Sequence, residues 1–241
     1  MKILVACEES QAVTIEFRKL GHEAYSCDVQ ECSGGHPEWH IVQDVLPLLN
    51  GNCEFKTCDN AIHKINGKWD MIIAHPPCTY LSNAGIAWFN EQKYGNKAKQ
   101  RKAEREKALV FFKSIAFADC KKIIIENPVG YANSHFKKPT QTIQPCMFGD
   151  PENKRTCLWL KGVPKLKPTQ IVTPTIYAYY KKGKKKGKPI YWCNYKMFGE
   201  DRAKVRSKTF SGIAKAMGNQ WGINGENQKK KLEIILLKTN S

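Results

Sequence analysis

Short apolar runs, each closed by a polar or acidic residue, recur along the first half of this chain. Lys2-Ile3-Leu4-Val5-Ala6-Cys7 is the first, and its near-unbroken apolarity predicts a strand covered on both faces. Over residues 10–20 the spacing becomes helical, with Val13, Phe17 and Leu20 on one side and Gly21 as the stop. Residues 22–28 predict a second strand, ending on Asp28, and His40-Ile41-Val42-Gln43-Asp44 supplies another acid-terminated run. Residues 69–74 predict a buried strand that leads directly into His75-Pro76-Pro77-Cys78. Residues 82–96 read as loop. A long helix is predicted over 97–118, charged at first and apolar later, with Phe111, Phe112, Ile115 and Phe117 as core. Residues 121–126 form the last clear strand, which continues as Glu126-Asn127-Pro128. Strands alternating with helices predict an α/β protein with a mostly parallel sheet covered on both faces. Ligands of such sheets bind outside the carboxyl ends of the strands, where Cys7, Asp28, Asp44, Cys78 and Glu126 would gather.

Beyond Trp159 the pattern changes. Prolines at 164, 168, 174 and 189 interrupt the chain, and residues 181–188 carry six lysines. Tyr177, Tyr179 and Tyr180 precede that run, and Tyr191 and Trp192 follow it. The chain therefore divides into a main unit at 1–163, a small, mostly non-helical insert at 164–205, and a segment at 206–241 that returns to the main unit. No internal repeat is visible.

Charge narrows the class of partner. Lys and Arg number 39 against 22 Asp and Glu, a formal net charge of +17 in 241 residues. A field of that sign and size attracts polyanions, nucleic acid first among them. No run of 18 apolar residues and no signal-peptide pattern is present, so a cytoplasmic protein without a membrane partner is expected. The ten cysteines are then expected as reduced thiols.

The stiff Pro-Pro-Cys turn suits a nucleophile, because two prolines fix φ and remove backbone donors. A packed thiol beside a turn is the alternative reading of the tetrapeptide alone. The pairing of Pro76-Pro77-Cys78 with Glu126-Asn127-Pro128 resembles the DNA (cytosine-5) methyltransferase family, in the compact form carried by phages and prophages. The resemblance implies a Rossmann-like S-adenosylmethionine-dependent methyltransferase fold, with 1–163 as the catalytic and cofactor-binding unit and 164–205 as a target-recognition-like insert. It implies S-adenosyl-L-methionine held by Ala6, Cys7, Glu8, Glu9, Asp28, Val29, Asp44, Val45, Pro76 and, from the late Met217-Gly218-Asn219-Gln220, Asn219. Asp28 matches the acid on the ribose and Asp44 the residue near the adenine. The partner implied is double-stranded DNA, met by a monomer. Ser82, Asn83, Lys97, Lys99 and Arg101 match the mobile loop and its following helix. Lys182, Lys184, Lys185 and Lys186 would meet phosphates from the insert.

Four site residues fall into chemical roles under this resemblance. Cys78 adds to C6 of a flipped cytosine and so makes C5 nucleophilic. Glu126 serves N3, with burial expected to raise its pKa and keep a proton available. Lys154 or Arg155, standing where the family has a Gln-x-Arg-x-Arg segment, holds the base carbonyl and helps depress the thiol pKa. A thiol where amino-methylating enzymes carry an aromatic ring points to carbon as the methyl acceptor. One departure concerns the cofactor turn, which is glycine-rich in the family and here reads Ala6-Cys7-Glu8-Glu9-Ser10-Gln11. That departure motivates a second reading, a DNA-binding scaffold without catalysis. A third keeps the covalent step with a different donor, transferred group or acceptor. Cys27, Cys32, His36 and His40 have spacing a zinc site could use, but Asp28 falls to the cofactor site and Gly34-Gly35 with Pro37 suggests a tight loop. No metal is expected.

Overall fold

The computed structural model describes residues 1–191 and 209–223. Its centre is a seven-stranded sheet. The first three strands are β1 (Lys2–Ala6), β2 (Glu23–Asp28) and β3 (His40–Val42). A two-stranded hairpin follows, β4 (Cys53–Lys56) and β5 (Ile62–Ile65), and then β6 (Met71–Ala74) and β7 (Ile123–Pro128). The last two strands of the sheet are β8 (Gln141–Ile143) and β9 (Thr156–Lys161). The spatial order is β3-β2-β1-β6-β7-β9-β8. All pairs from β3 to β7 are parallel, and only β9 runs against its neighbours. Counting the sheet's own strands along the chain gives 3-2-1-4-5-7-6 with the seventh reversed. This is a mostly parallel, Rossmann-like α/β sheet.

The continuous apolar runs have the expected cause. Leu4, Ile72, Ile123 and Ile125 face one layer with Phe112 and Trp159, while Ile3, Val5, Met71, Ile73 and Ile124 face the other with Val13, Phe17 and Met217. Period-two alternation thus sorts each strand between two buried layers. The first layer is covered by α3 (Asn96–Ala116), which follows α1 (Ala12–Arg18) and a single turn, α2 (Glu91–Tyr94). Phe112 of α3 packs edge-on against Phe136 and Trp159, at 5.4 and 5.0 Å between centroids. After α4 (Ala132–His135), the last helix among the described residues is α5 (Ser211–Trp221). It closes the second layer against α1, where Gly218 lies against the Glu16 backbone.

Several boundaries differ from the sequence reading. Residues 82–96 are not plain loop: Asn83–Phe89 is a 3-10 helix, and Asn90 caps α2 by accepting the Lys93 N–H at 3.1 Å. The hairpin at 53–65 and the antiparallel strands β8 and β9 were not anticipated. The described part of the basic insert has no α-helix. Its two short strands, β10 (Ala178–Tyr179) and β11 (Pro189–Ile190), pair antiparallel beneath a lysine-bearing tip at Gly183–Lys185. The rest of the insert, 192–205, and the predicted return from 224 onward lie outside the described residues.

The segment after Cys78 is tied to the segment after Glu126. Asn83 N–H donates to the Val129 carbonyl at 3.2 Å, and Tyr131 N–H to the Leu81 carbonyl at 2.7 Å. Gly130 makes this approach possible, since a Cβ there would fall 1.9 Å from the Leu81 oxygen. Gly130→Ala should force the two segments apart and lower stability by about 1–3 kcal/mol, read as a reduced midpoint in urea unfolding.

Candidate active site

In-register pairing brings three strand ends level. Ala6 of β1 pairs with Ala74 of β6, and Ala74 with Ile125 of β7. The next residues outward are Cys7, His75 and Glu126, and His75 N–H extends the ladder by donating to the Ala6 carbonyl at 2.9 Å. His75 Nδ1 lies 3.2 Å from Glu126 Oε2, with the two side chains 8% and 14% exposed. Asn127 reaches across the same gap, its Nδ2 donating to the Pro76 carbonyl at 2.7 Å. The Glu-Asn pair therefore fixes the Pro-Pro-Cys turn from the adjacent strand. Cys78 is half-buried beyond it, and its carbonyl accepts the Leu81 and Ser82 N–H groups at 3.1 and 2.9 Å.

The protonation state at this end departs from the sequence expectation. Burial does push the Glu126 carboxyl up, but His75, the Lys154 charge and Thr156 together outweigh it and hold the group below the usual carboxylate range. For His75, burial works against the charged ring, yet Glu126 and then Glu8 raise it above its ordinary 6.5. The two form a buried imidazolium–carboxylate pair, so Glu126 by itself does not carry a proton at neutral pH. Lys154 bears on this pair, and its ammonium also stands 5.8 Å from the Phe210 ring. Arg155 is exposed. His75 was missed as a site residue by the sequence reading, and no local signal could show that its partner lies 51 residues away.

The glycine-free first loop resolves into a built structure. Cys7 and Gln11 both take the left-handed conformation, at φ 59° and 56°, which residues with a Cβ adopt only at a cost of about 1–2 kcal/mol each. Gln11 is fully buried, with its amide donating to Ser26 Oγ and the His36 carbonyl. Glu8, also buried, turns its carboxylate onto the first turn of α1, accepting Val13 N–H at 2.6 Å, Thr14 N–H at 3.2 Å and Thr14 Oγ1 at 2.7 Å. Burial nonetheless leaves Glu8 above the usual range. Glu9 is held by Ser33.

Beside these loops is a cavity of about 410 Å³, and Cys7, Asp28, Val29, Asp44 and Val45 of the expected cofactor set line it. Pro77, Tyr80, Ala108 and Phe111 complete its apolar wall, and Glu104 and Lys107 of α3 stand at it as well. Val29 is 73% exposed, an apolar surface next to a carboxylate. An apolar slot with acids at two strand ends has the chemistry that could hold a nucleoside. Ala6, Glu8, Glu9, Pro76 and Asn219 do not line it. Ala6 and Pro76 are buried, and Asn219 sits on α5. The thiols at this cavity stay protonated: burial, then Asp28, lifts Cys27 to about 12 and Cys7 higher still.

The expected DNA-facing residues divide. Asn83, Lys97, Lys99 and the tip lysines Lys182, Lys184, Lys185 and Lys186 are exposed, and Ser82 is half-buried. Arg101 is turned inward, donating to the Thr79 carbonyl at 2.9 Å and lying over Tyr80 and Phe89, so it tethers the loop. The zinc spacing does not assemble: His36 stacks on Trp39, His40 bonds Ser26 and the Gln30 carbonyl, and Cys27 bonds the Gln43 carbonyl. Among the described residues, no group of three or more His, Cys, Asp or Glu side chains is arranged to hold a metal ion, and no helix is long and apolar enough to cross a membrane.

Two linked titrations follow from the His75–Glu126 pair. The His75 contribution to stability is complete below pH 6.5 and is lost as pH rises through its raised folded value. The Glu126 contribution is complete above pH 4.5 and is lost as pH falls through its lowered folded value. The pair should stabilise most between those limits. An NMR titration should place the His75 midpoint above 6.5, and Glu126→Gln should bring it down.

No family model matches the chain, and no curated protein does. Among solved structures it is similar to a chain from an E. coli prophage described as a candidate DNA modification methyltransferase. Identity is 11% and the TM-score 0.38, over 71% of this chain and 51% of that one. The match thus spans about half the length of that structure.

Proposed function

We propose that this protein methylates C5 of cytosine in DNA, using S-adenosylmethionine and a transient covalent bond from Cys78 to C6 of the base. The observation that carries this reading is the Asn127–Pro76 hydrogen bond beside the His75–Glu126 pair. It supports a nucleophile turn and an acid–base group held as one unit on adjacent strand ends. The cavity beside that unit supports a nucleoside cofactor, with Asp28 at the ribose, Asp44 toward the adenine, and Val29, Val45 and Phe111 as walls. When bound, S-adenosylmethionine would supply an electrophilic methyl group.

The chain's own residues account for the rest of the chemistry. Cys78 adds through its thiolate to C6, which turns the ring into an enamine and makes C5 nucleophilic. Glu126 meets N3, where charge develops on addition, and Lys154, whose charge bears on Glu126, is the proposed cation for the base carbonyl. After C5 is substituted, loss of its proton expels the Cys78 thiolate and restores aromaticity. Because a paired base cannot reach a strand-end thiol, the cytosine must leave the stack, at a cost of about a few kcal/mol. The segment 79–94, tied to α3 by Arg101, is the element positioned to cover it. Lys97, Lys99 and the tip lysines, with the field of a +17 chain, favour a nucleic-acid partner.

Incubation with mixed-sequence duplex DNA and S-adenosylmethionine should yield 5-methyldeoxycytidine on nucleoside mass spectrometry. Cys78→Ala should reduce the yield by about 10³-fold or more. Full activity in that variant would rule out the nucleophile, and a different mass on the base would reassign the transferred group. In calorimetry, Asp28→Ala should weaken S-adenosylmethionine binding about 10–100-fold, the effect of losing charge-assisted hydrogen bonds to a ribose.

A further inference from the structure

The addition step at cytosine needs an acid at N3, yet Glu126 sits in an ion pair that leaves it ionised. Its partner is a side chain with no role so far in the proposed chemistry. His75 lies at the centre of three strand ends, with Nδ1 3.2 Å from Glu126 Oε2 and its ring nearly sealed from solvent. The charged groups that bear on it come from each neighbouring element. Glu126 stands on β7, Glu8 on the loop after β1, and Lys154 just before β9. The Thr209 hydroxyl lies 3.5 Å from Nδ1. The other ring nitrogen, Nε2, is buried without a hydrogen-bond partner among the described residues. A buried polar atom left unsatisfied is costly, so a ring of this kind in a packed strand end points to a use beyond packing.

We infer that His75 is the proton reservoir for Glu126, a positioning residue that hands its Nδ1 proton through the carboxylate to N3 of the substrate base. The inference rests on the cytosine reading of the site. On addition, the Cys78 Sγ–C6 bond forms and the C5=C6 pair shifts to C4=C5. As the C4=N3 pair moves onto N3, Glu126 takes the Nδ1 proton of His75 and delivers a proton to N3. Glu126 ends ionised, as it began, and His75 is left neutral. The negative charge that the thiolate brought to the ring comes to rest on the carboxylate inside the site. When the thiolate is expelled after substitution, N3 gives its proton back along the same path, and His75 is charged again. No proton has to cross the closed site from solvent for the step at N3. Glu8 is the second carboxylate that keeps the ring charged between turnovers, from a position fixed by the first turn of α1.

On its alkaline side, the wild-type single-turnover methylation rate should fall as pH rises through the His75 titration. His75→Asn keeps a neutral donor near Nδ1 but cannot carry a proton. It should lose about 10²-fold in rate at neutral pH, with the alkaline limb displaced toward the range of a lone carboxyl. Glu8→Gln keeps one of the two oxygens that accept from α1 and should move the wild-type limb to lower pH. If His75→Asn does not fold, by circular dichroism, the Glu8→Gln limb decides alone. A parallel assay uses duplex DNA carrying 5-fluorocytosine, which traps the adduct at Cys78. Neither adduct nor methylated base from the wild type would overturn the cytosine reading and the reservoir with it. Wild-type adduct together with unmoved limbs in the variants would overturn the reservoir alone.

Discussion

The level ends of β1, β6 and β7 are the constraint on which the rest of this molecule depends. A one-residue slip between β6 and β7 would turn Glu126 away from His75 and take Asn127 off the Pro76 carbonyl. Register is enforced by burial on both faces, because Ile72, Ile123 and Ile125 must face one layer while Met71, Ile73 and Ile124 face the other. Core packing thus sets the distance between a candidate nucleophile turn and its acid–base partner. The antiparallel β9 adds Lys154 and Thr156 to the same end, since its start pairs with the end of β7 at Pro128 and Thr156.

The first loop illustrates how a local rule can be met by other means. Glycine is the usual solution to left-handed backbone, because it has no Cβ to clash. Here Cys7 and Gln11 adopt that backbone instead, and each is held by buried contacts: Cys7 N–H to the Cys27 carbonyl at 2.7 Å, and the Gln11 side chain to Ser26 and His36. Strain of this kind persists only when its surroundings over-determine it. Gly34 completes the arrangement, as a Cβ there would fall 2.5 Å from that of Gln11.

Much of this was legible in the sequence because it is carried by local pattern. Buried parallel strands read as apolar runs, and acids such as Asp28, Asp44 and Glu126 mark where those runs reach the edge of the sheet. The hairpin at 53–65 escaped because Cys53-Glu54-Phe55-Lys56 is short and buries only Phe55. Strands β8 and β9 escaped because their signals fell among prolines and lysines. The sign of the Glu126 shift was missed for a different reason: burial is readable from apolar neighbours in sequence, whereas the His75 pairing that outweighs it exists only across strands. That the Lys154 charge bears on Glu126 while Arg155 is exposed is likewise a matter of strand placement at the start of β9, which sequence cannot fix.

Occupancy of the α1 N-terminus bears on which ligand the sheet end can hold. Rossmann-like proteins that bind dinucleotides use that terminus, with its free N–H groups and positive dipole end, as an anion site for the pyrophosphate. In this chain the Glu8 carboxylate already accepts the Val13 and Thr14 N–H groups, and Glu126 stands close enough for both acids to raise His75. A phosphate there would have to displace a buried side chain and enter a field shaped by Asp28, Asp44 and Glu8. A cofactor bearing a cationic centre and no phosphate meets neither obstacle, and the same acids favour it. The exposed lysines of α3 and of the β10–β11 tip carry the opposite charge. Under the proposed function, the acids at the strand ends suit a cationic cofactor and the lysines an anionic substrate.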